Sequence, residues 1–307
     1  MVFPAAGTEA EFDALTRESL LPPVRELLGK LGHGGEDVVP FEDGSLPVYA
    51  VGDKLVLKLF PPVHLGELPT ESGVLRAVHG RLPIPTPAVE SAGEHDGWGH
   101  VLMERLPGET LSAVWPRLST EDRRSLAPRL GEALAALHAV EAPPGLGPAS
   151  WPDFLAEQRK NVLDHHCATK LDEAWIEQIP GFLDGVDLGD PAPVLLHTEF
   201  MRDHIMVTGH DGHWRLSGLF DFEPAMRGAP EYDFVGAGLF VSGGDSAFLR
   251  ELLLGYGVTG LDEAFSRRCL AYGLLHVYSN LRWWLSMLPA PPLPTLDALA
   301  AAWWGHS

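Results

Sequence analysis

Between residues 194 and 234 the chain reads VLLHTEFMRDHIMV, then a glycine-containing turn, then WRLSGLFDFEPAMRGAPEYDF. His197, Glu199, Asp203 and His204 fall between two short apolar runs, Val194–Leu196 and residues 205–207. Asp221 and Glu223 follow a third run, residues 214–220. The runs read as strands, and the turn Gly209-His210-Asp211-Gly212 as the bend of a hairpin. Carboxylates and imidazoles gathered where strands end can bind a metal ion and move a proton.

A second candidate lies far upstream. Residues 38–41, Val48–Val51 and Leu55–Phe60 read as three strands joined by turns at Asp43-Gly44 and Gly52-Asp53. The third, LVLKLF, places Lys58 among apolar neighbours in a chain with five lysines. A lysine there is either on an edge facing solvent or paired, because an unpaired buried ammonium is costly. Glu71 opens a helical segment thirteen residues on, able to pack on the sheet and supply the partner.

The elements that position these groups are legible in order. Thr8 to Glu11 has the pattern of a capping box, and helical spacing runs on to Leu31, interrupted at Pro22-Pro23. RLPIPTP leads into strands at residues 88–91 and 100–103, and MERLPGETL follows. Beyond Gly108 the pattern is mostly helical: residues 119–138 with a kink or restart at Pro128, then 150–166, 171–179, Ser246–Tyr256, 262–288 and Leu296–Trp304. The tryptophan pairs Trp283-Trp284 and Trp303-Trp304 suit either a core or the wall of a sugar pocket. Adjacent His165, His166 and Cys167 would point in different directions on a helix, which argues against a metal cluster.

At 307 residues the chain is long enough for two lobes. A net charge of -20, from 22 basic and 42 acidic residues, disfavours nucleic acid or an acidic membrane as partner; it serves solubility first, and it also suits a cationic small molecule. Cys167 and Cys269 form no disulfide or zinc pattern. The first residues, MVFPAAGTEAEF, show no export leader, and no apolar run approaches the ~18 residues of a membrane span, so a cytoplasmic location is expected. No protein partner is implied.

The order His197-x-Glu199, His204, hairpin, Asp221-Phe222 resembles the catalytic core of the aminoglycoside phosphotransferase and choline kinase branch of the protein-kinase-like fold. That family's pattern is H-x-D-x-x-x-x-N, a short hairpin, then D-F or D-W. Glu199 stands where the family has its catalytic Asp, and His204 where it has its metal-binding Asn. The likeness covers nearly the whole chain from about Val38. VLKLF, ESGVLRAV, the P-x-P connection, VLMERLPGETL and SWPDFLAEQR make it closest in layout to the hygromycin B kinases.

The resemblance implies an α+β, bilobal kinase-like fold, with residues 1–106 as a nucleotide-binding antiparallel-sheet lobe and 107–307 as a helical catalytic and substrate lobe. It implies transfer of the terminal phosphoryl group of ATP or GTP to a hydroxyl of an aminoglycoside-like antibiotic or sugar-containing metabolite. In that reading Lys58, aligned by Glu71, holds phosphates, and backbone groups of Glu104 and Leu106 meet the nucleobase. Asp221 and His204 hold Mg²⁺, with Mn²⁺ as alternative, and Glu199 is the catalytic base. His197 braces the loop against the Asp221 segment, and Asp233 begins a helix and steadies the metal loop. Asp153, Asp203 and Glu223 are candidates for meeting the substrate, and Arg202 for neutralising the transferring group or lying solvated on its loop.

Two other readings compete. A pseudokinase would keep the fold as a nucleotide- or ligand-binding module. A non-haem iron oxygenase would use His197, Glu199 and a distant histidine such as His276, but requires a run of strands where this chain reads helical.

Overall fold

A computed structural model describes residues 2–210, 213–288 and 290–305. The turn residues Asp211 and Gly212 expected to close the hairpin therefore lie outside the described residues. The chain divides into two compact units, residues 1–108 with 217–224, and residues 109–216 with 225–307. The expected boundary at 106/107 did not anticipate the return of residues 217–224 to the first unit. Ser217 Oγ donates to Pro107 O (2.7 Å) and Leu219 N to Pro85 O (2.9 Å), which ties that stretch to the sheet's exit. Gly218 is needed for the approach, since a Cβ there would lie 2.4 Å from Leu106 Cδ1.

The first unit begins with α1 (Glu9–Asp13) and α2 (Leu21–Lys30). Thr8 and Glu11 form the capping box. Pro22 and Pro23 do not interrupt a helix but start α2 at its first turn, where the missing N–H groups are not needed. Strands β1 (Val38–Pro40), β2 (Val48–Val51) and β3 (Leu55–Phe60) follow. Then come α3 (Leu68–Val78), β4 (Val89–His95) and β5 (Trp98–Glu104). The sheet is antiparallel, in the order β1-β2-β3-β5-β4.

Register decides what each face of that sheet does. Tyr49, Leu57 and Leu102 are paired across strands and join Phe3, Leu20, Val24, Leu27 and Trp98 in a buried core against the N-terminal helices. Paired residues share a face and successive residues alternate. The opposite face therefore carries Val48, Lys58 and Val101 in one row and Val39, Ala50, Val56 and Met103 in the next.

The second unit is mostly helical, an α+β whole with the first. It contains β6 (Glu109–Thr110), α4 (Leu111–Val114), α5 (Thr120–His138), α6 (Trp151–Ala168), α7 (Glu173–Ile176) and α8 (Ile179–Asp184). Next are β7 (Val194–Leu196), β8 (Ile205–His210), β9 (His213–Leu219, whose residues from 217 on count with the first unit) and β10 (Met226–Gly228). It ends with α9 (Glu231–Gly236), a π turn (Ala237–Val241), α10 (Ser246–Tyr256), α11 (Glu263–Leu274), α12 (Leu281–Met287) and α13 (Leu296–Trp304). Two short pairings had no clear sequence signal: β10 with β7, and β6 with β8. Residues 262–288 form two helices, because Asn280 caps a new start at α12. Among the described residues, no helix is long and apolar enough to cross a membrane.

Helix α5 runs through Pro128 without restarting. A Cβ on Gly131 would lie 1.9 Å from Leu252 O, and one on Gly255 2.2 Å from Pro128 O, so α5 and α10 cross with backbones in near contact. This contact generates a test. In an isolated helix Gly131→Ala would gain stability, but here overpacking should dominate and destabilise the fold by about 1–3 kcal/mol. Thermal unfolding should show a lower midpoint, and an unchanged or higher one would contradict the close crossing.

Candidate active site

In the first unit Lys58 is 3% exposed, so it is the buried, paired lysine and not the edge one. Its Nζ lies 2.5 Å from Asp221 Oδ1, 2.6 Å from Glu223 Oε2 and 3.8 Å from Glu71 Oε2. Glu71, fully buried on α3, accepts a hydrogen bond from Phe222 N at 2.7 Å. Asp221 is held at φ 75°, in the left-handed region that costs a non-glycine residue about 1–3 kcal/mol. The expected Lys58–Glu71 pair is present, but Glu71's shorter bond is to the backbone after Asp221. Glu71 thereby fixes the segment whose carboxylates hold the lysine.

Glu223 was expected to meet the substrate. Its side chain is instead largely buried and pairs with Lys58. The sequence places it two residues after Asp221, and nothing in that spacing reveals burial.

The electrostatics follow from crowding. Burial alone would lower the Lys58 pKa, but Glu71, Asp221 and Glu223 together outweigh it and raise it. Burial pushes Glu71 up, against the pull of Lys58. Glu223 is pushed up to about 9 by burial, with Lys58 opposing and the neighbouring carboxylates adding to the rise. Three carboxyl groups around one ammonium cannot all stay ionised in so buried a place, and Glu223 keeps a proton near neutral pH until a further cation joins them. The oxygens of Glu71, Asp221 and Glu223 also lie within 4.8 Å of one another, a hard oxygen donor set suited to Mg²⁺.

In the second unit the loop between β7 and β8 carries Glu199 and His204. Its preceding residue Thr198 has φ 74°, strained for a β-branched side chain. Asp233 holds it there. Asp233 Oδ2 accepts from His197 N (2.8 Å) and Oδ1 from Thr198 N (2.7 Å). His138 Nε2 also donates to Oδ2 at 2.9 Å, and Tyr256 Oη bonds His138 Nδ1 at 2.8 Å. Burial opposes the charge on Asp233, but these donors prevail and hold its carboxyl below the usual range. Asp233 sits in the first turn of α9, whose cap is Pro230, so it caps the loop and not its own helix.

His197 is fully buried and braced by Asp233 through its N–H, while its ring stacks on His204 (5.9 Å, 22°). The backbone of His197 is thus braced by Asp233. His204 Nδ1 donates to Glu199 O at 3.0 Å, which fixes the orientation of the ring. A neutral ring so bonded would carry its lone pair on Nε2, the tautomer a metal ligand needs.

Asp153 is exposed in the first turn of α6, and Asp203 is exposed on the loop. Arg202 is neither a solvated loop arginine nor aimed outward. Its guanidinium lies 3.4 Å from the Trp115 ring centroid, Nε donates to Val241 O at 2.7 Å, and burial with the neighbouring Arg123 draws it down to about 10. Trp284, Trp303 and Trp304 are each 1% exposed and belong to the core, whereas Trp283 is 49% exposed. His165, His166 and Cys167 do not converge: His166 is buried and Cys167 exposed.

The sequence profile of the phosphotransferase enzyme family matches residues 37–268. The chain belongs to the phosphotransferase enzyme family. Within that family's fold, the structure is similar to that of the GDP and kanamycin complex of APH(2")-IIia (TM-score 0.69, 20% identity, covering 87% of this chain and 95% of that one). It is also similar to the streptomycin-ATP-APH(2")-IIa ternary complex (0.60, 20%, 80% and 87%). A third likeness is to macrolide 2'-phosphotransferase MphH from Brachybacterium faecium (0.62, 20%, 87% and 99%). These likenesses speak to the fold. The chain is 26% identical over 217 residues to lysine-specific demethylase JMJ21 of Arabidopsis thaliana, 56% of this chain. It spans about a quarter of that curated relative's length, 23%.

The phosphotransferase assignment overturns the iron-oxygenase reading, and the geometry agrees. His276 is buried, stacked on Tyr232 at 4.2 Å, accepts from Tyr278 N, and is drawn down to about 4 by burial. It belongs to the core.

The Asp233 network has a pH signature. A depressed folded pKa contributes stability fully above the unfolded carboxylate value of ~3.9, and that contribution is lost as pH falls through the folded value. Asp233→Asn should cost on the order of 3 kcal/mol at pH 7, because it removes a charged acceptor from three donors. Denaturant unfolding should show the gap between wild type and variant narrowing below pH ~4. A gap that persists or widens in acid would mean that Asp233 is not the charged acceptor.

Proposed function

We propose that this phosphotransferase moves the terminal phosphoryl group of ATP or GTP to a hydroxyl of a small, cationic, aminoglycoside-like antibiotic or sugar-containing metabolite. The observation that carries the reading is the buried Lys58, fixed by Glu71, Asp221 and Glu223 beside an apolar sheet face. An ammonium in such a place is an anion site once a cation satisfies the carboxylates. The names of similar structures include both GDP and ATP complexes, and kanamycin and streptomycin among their ligands, which supports a nucleotide donor and a polyamine-like acceptor.

Each residue then has a chemical task. The nucleobase packs on Val39, Ala50, Val56 and Met103, in the row beside Lys58. Glu104 N already donates to Ala88 O, so Glu104 offers the base its carbonyl, and Leu106 its N–H. Lys58 holds phosphate oxygens. Asp221 and Glu223 would hold Mg²⁺, and His204 Nε2 is a further proposed ligand. Bound there, the ion neutralises charge on the phosphate oxygens.

Glu199 orients the acceptor hydroxyl and takes its proton as the new O–P bond forms. The bond to the leaving nucleoside diphosphate then breaks. Exposed Asp153 and Asp203, in a chain of net charge -20, attract a cationic acceptor.

Incubation with ATP or GTP and a panel of aminoglycosides and nucleoside antibiotics should yield an acceptor carrying an added phosphate mass. Nucleotide binding without transfer to any acceptor, with Mg²⁺ or Mn²⁺, would leave a ligand-binding module. Lys58→Ala should weaken nucleotide binding or turnover at least ~10-fold. Because the change also strips three carboxylates of their counter-charge, a thermal midpoint must accompany it. Unchanged affinity and rate would remove Lys58 from the site.

Glu199→Gln should lower kcat by ~10²–10⁴ while leaving nucleotide affinity near wild type, since it removes a base and not a phosphate contact. His204→Asn should shift the metal preference from Mn²⁺ towards Mg²⁺, as an amide oxygen suits the harder ion. Equal Mn²⁺/Mg²⁺ activity ratios in wild type and His204→Asn would exclude His204 as a ligand.

A further inference from the structure

The loop joining β1 to β2, residues 41–47, reads FEDGSLP and has one glycine. In the proposed function it must face the nucleotide's phosphates, yet Glu42 and Asp43 are exposed carboxylates that would repel them. What compensates comes from outside the loop. Arg17 Nη2 donates to Gly44 O at 2.5 Å and lies 3.4 Å from Asp43 O.

Arg17 is itself held in place. Tyr49 Oη donates to Arg17 O at 2.8 Å. The turn that carries it is cross-braced, with Thr16 N donating to Ser19 Oγ and Ser19 N to Thr16 Oγ1, at 3.1 and 3.2 Å. At the loop's root Phe41 N donates to Val48 O at 2.9 Å, and the Arg105 guanidinium lies 5.8 Å from the Phe41 ring centroid.

Peptide geometry gives this clamp a consequence. In a trans peptide the C=O and N–H point in opposite directions. The carbonyl of Asp43 shares a peptide with the N–H of Gly44, and the carbonyl of Gly44 with the N–H of Ser45. With both carbonyls turned to Arg17, both N–H groups turn away from it. Gly44 has φ 102°, a conformation open to glycine, which permits consecutive carbonyls to take one side. Arg17 is bound on the Tyr49 side of the sheet, and Lys58 lies on the other face. Two successive N–H groups on the side away from Arg17 form the kind of concavity that binds phosphate oxygens.

We propose that Arg17 is a positioning residue for the nucleotide: it turns the N–H groups of Gly44 and Ser45 towards the terminal phosphates and offsets the charge of Glu42 and Asp43. The inference rests on the phosphotransferase reading above, and its test separates the two.

Arg17→Ala and Arg17→Lys are compared with wild type by amide hydrogen exchange of residues 42–46 without nucleotide. Titration calorimetry then measures a nucleoside triphosphate and its parent nucleoside, with thermal midpoints recorded throughout. Arg17→Ala should speed exchange in the loop, weaken triphosphate binding about tenfold, and leave the nucleoside unaffected, because only phosphates meet the turn. Arg17→Lys should fall between, since lysine keeps the charge and the donors but is too short to carry them as far as Nη2 reaches. Tyr49→Phe, which frees the Arg17 backbone, should move the same measurements the same way but less.

Unchanged exchange overturns the clamp. Faster exchange with unchanged triphosphate affinity overturns its role towards phosphate. Equal losses for triphosphate and nucleoside would mean general damage and equally sink the proposal. A wild-type protein that binds no nucleoside triphosphate overturns the phosphotransfer reading and the phosphate role together, while loop exchange still decides whether Arg17 holds the turn.

Discussion

Burying the ammonium of Lys58 is the constraint on which the first unit depends. An uncompensated charge at 3% exposure would cost several kcal/mol, so carboxylates must reach it. One comes from α3, which is why Glu71 sits on that helix's buried face beside Val74, Leu75 and Val78. The others come from residues 217–224, far away in sequence, which explains why that stretch counts with the sheet. Once there, Asp221 is held at a strained φ by its bond to Lys58 and by the bond of Phe222 N to Glu71. The same contacts that make the lysine tolerable thus aim the carboxylates, and a shift in α3 would disturb both.

The second unit solves a similar problem with one carboxylate. Asp233 is fully buried and takes hydrogen bonds from two backbone amides and from His138. The donors keep it charged, and the charge in turn keeps Thr198 in its strained conformation. Tyr256 closes the far end of the chain, from α10, which Gly255 and the Gly131 of α5 let approach α5 closely. Helix packing therefore bears on the loop residue that precedes Glu199.

What was legible in the sequence follows from how local the signal is. Lys58 stands out because a charge in an apolar strand has few explanations, and the strands around it declare themselves by turns and alternation. Glu223 was misread because burial of a carboxylate depends on a partner 165 residues away. Arg202 looked like a loop residue because Trp115, the ring it covers, lies on a distant segment. Trp283 and Trp284 are neighbours with opposite fates, 49% and 1% exposed, since a helix turns adjacent residues to different sides. Pro128 suggested a break that does not occur, and the apolar pattern of residues 262–288 hid one that does. The three-residue strand β10 is too short to show periodicity at all.

Glu199 as the proposed base needs a loop that fits its length. A glutamate extends its carboxylate by one methylene, a displacement of about 1 Å that can cost ~10²-fold in rate unless the backbone compensates. The residue before it holds a φ of 74°, a conformation that costs a threonine about 1–3 kcal/mol and relaxes if nothing enforces it. Here Asp233, His138 and Tyr256 enforce it. His204 in turn donates to the carbonyl of Glu199 itself, so the two replaced residues are bonded to each other and settle each other's orientation. In a neutral ring that bond would leave the lone pair on Nε2. Strain at Thr198, the buried charge of Asp233 and the His204 bond thus hold this loop in one conformation. A loop so held is what the proposed base and ligand would need, because neither keeps its aim on a backbone that relaxes.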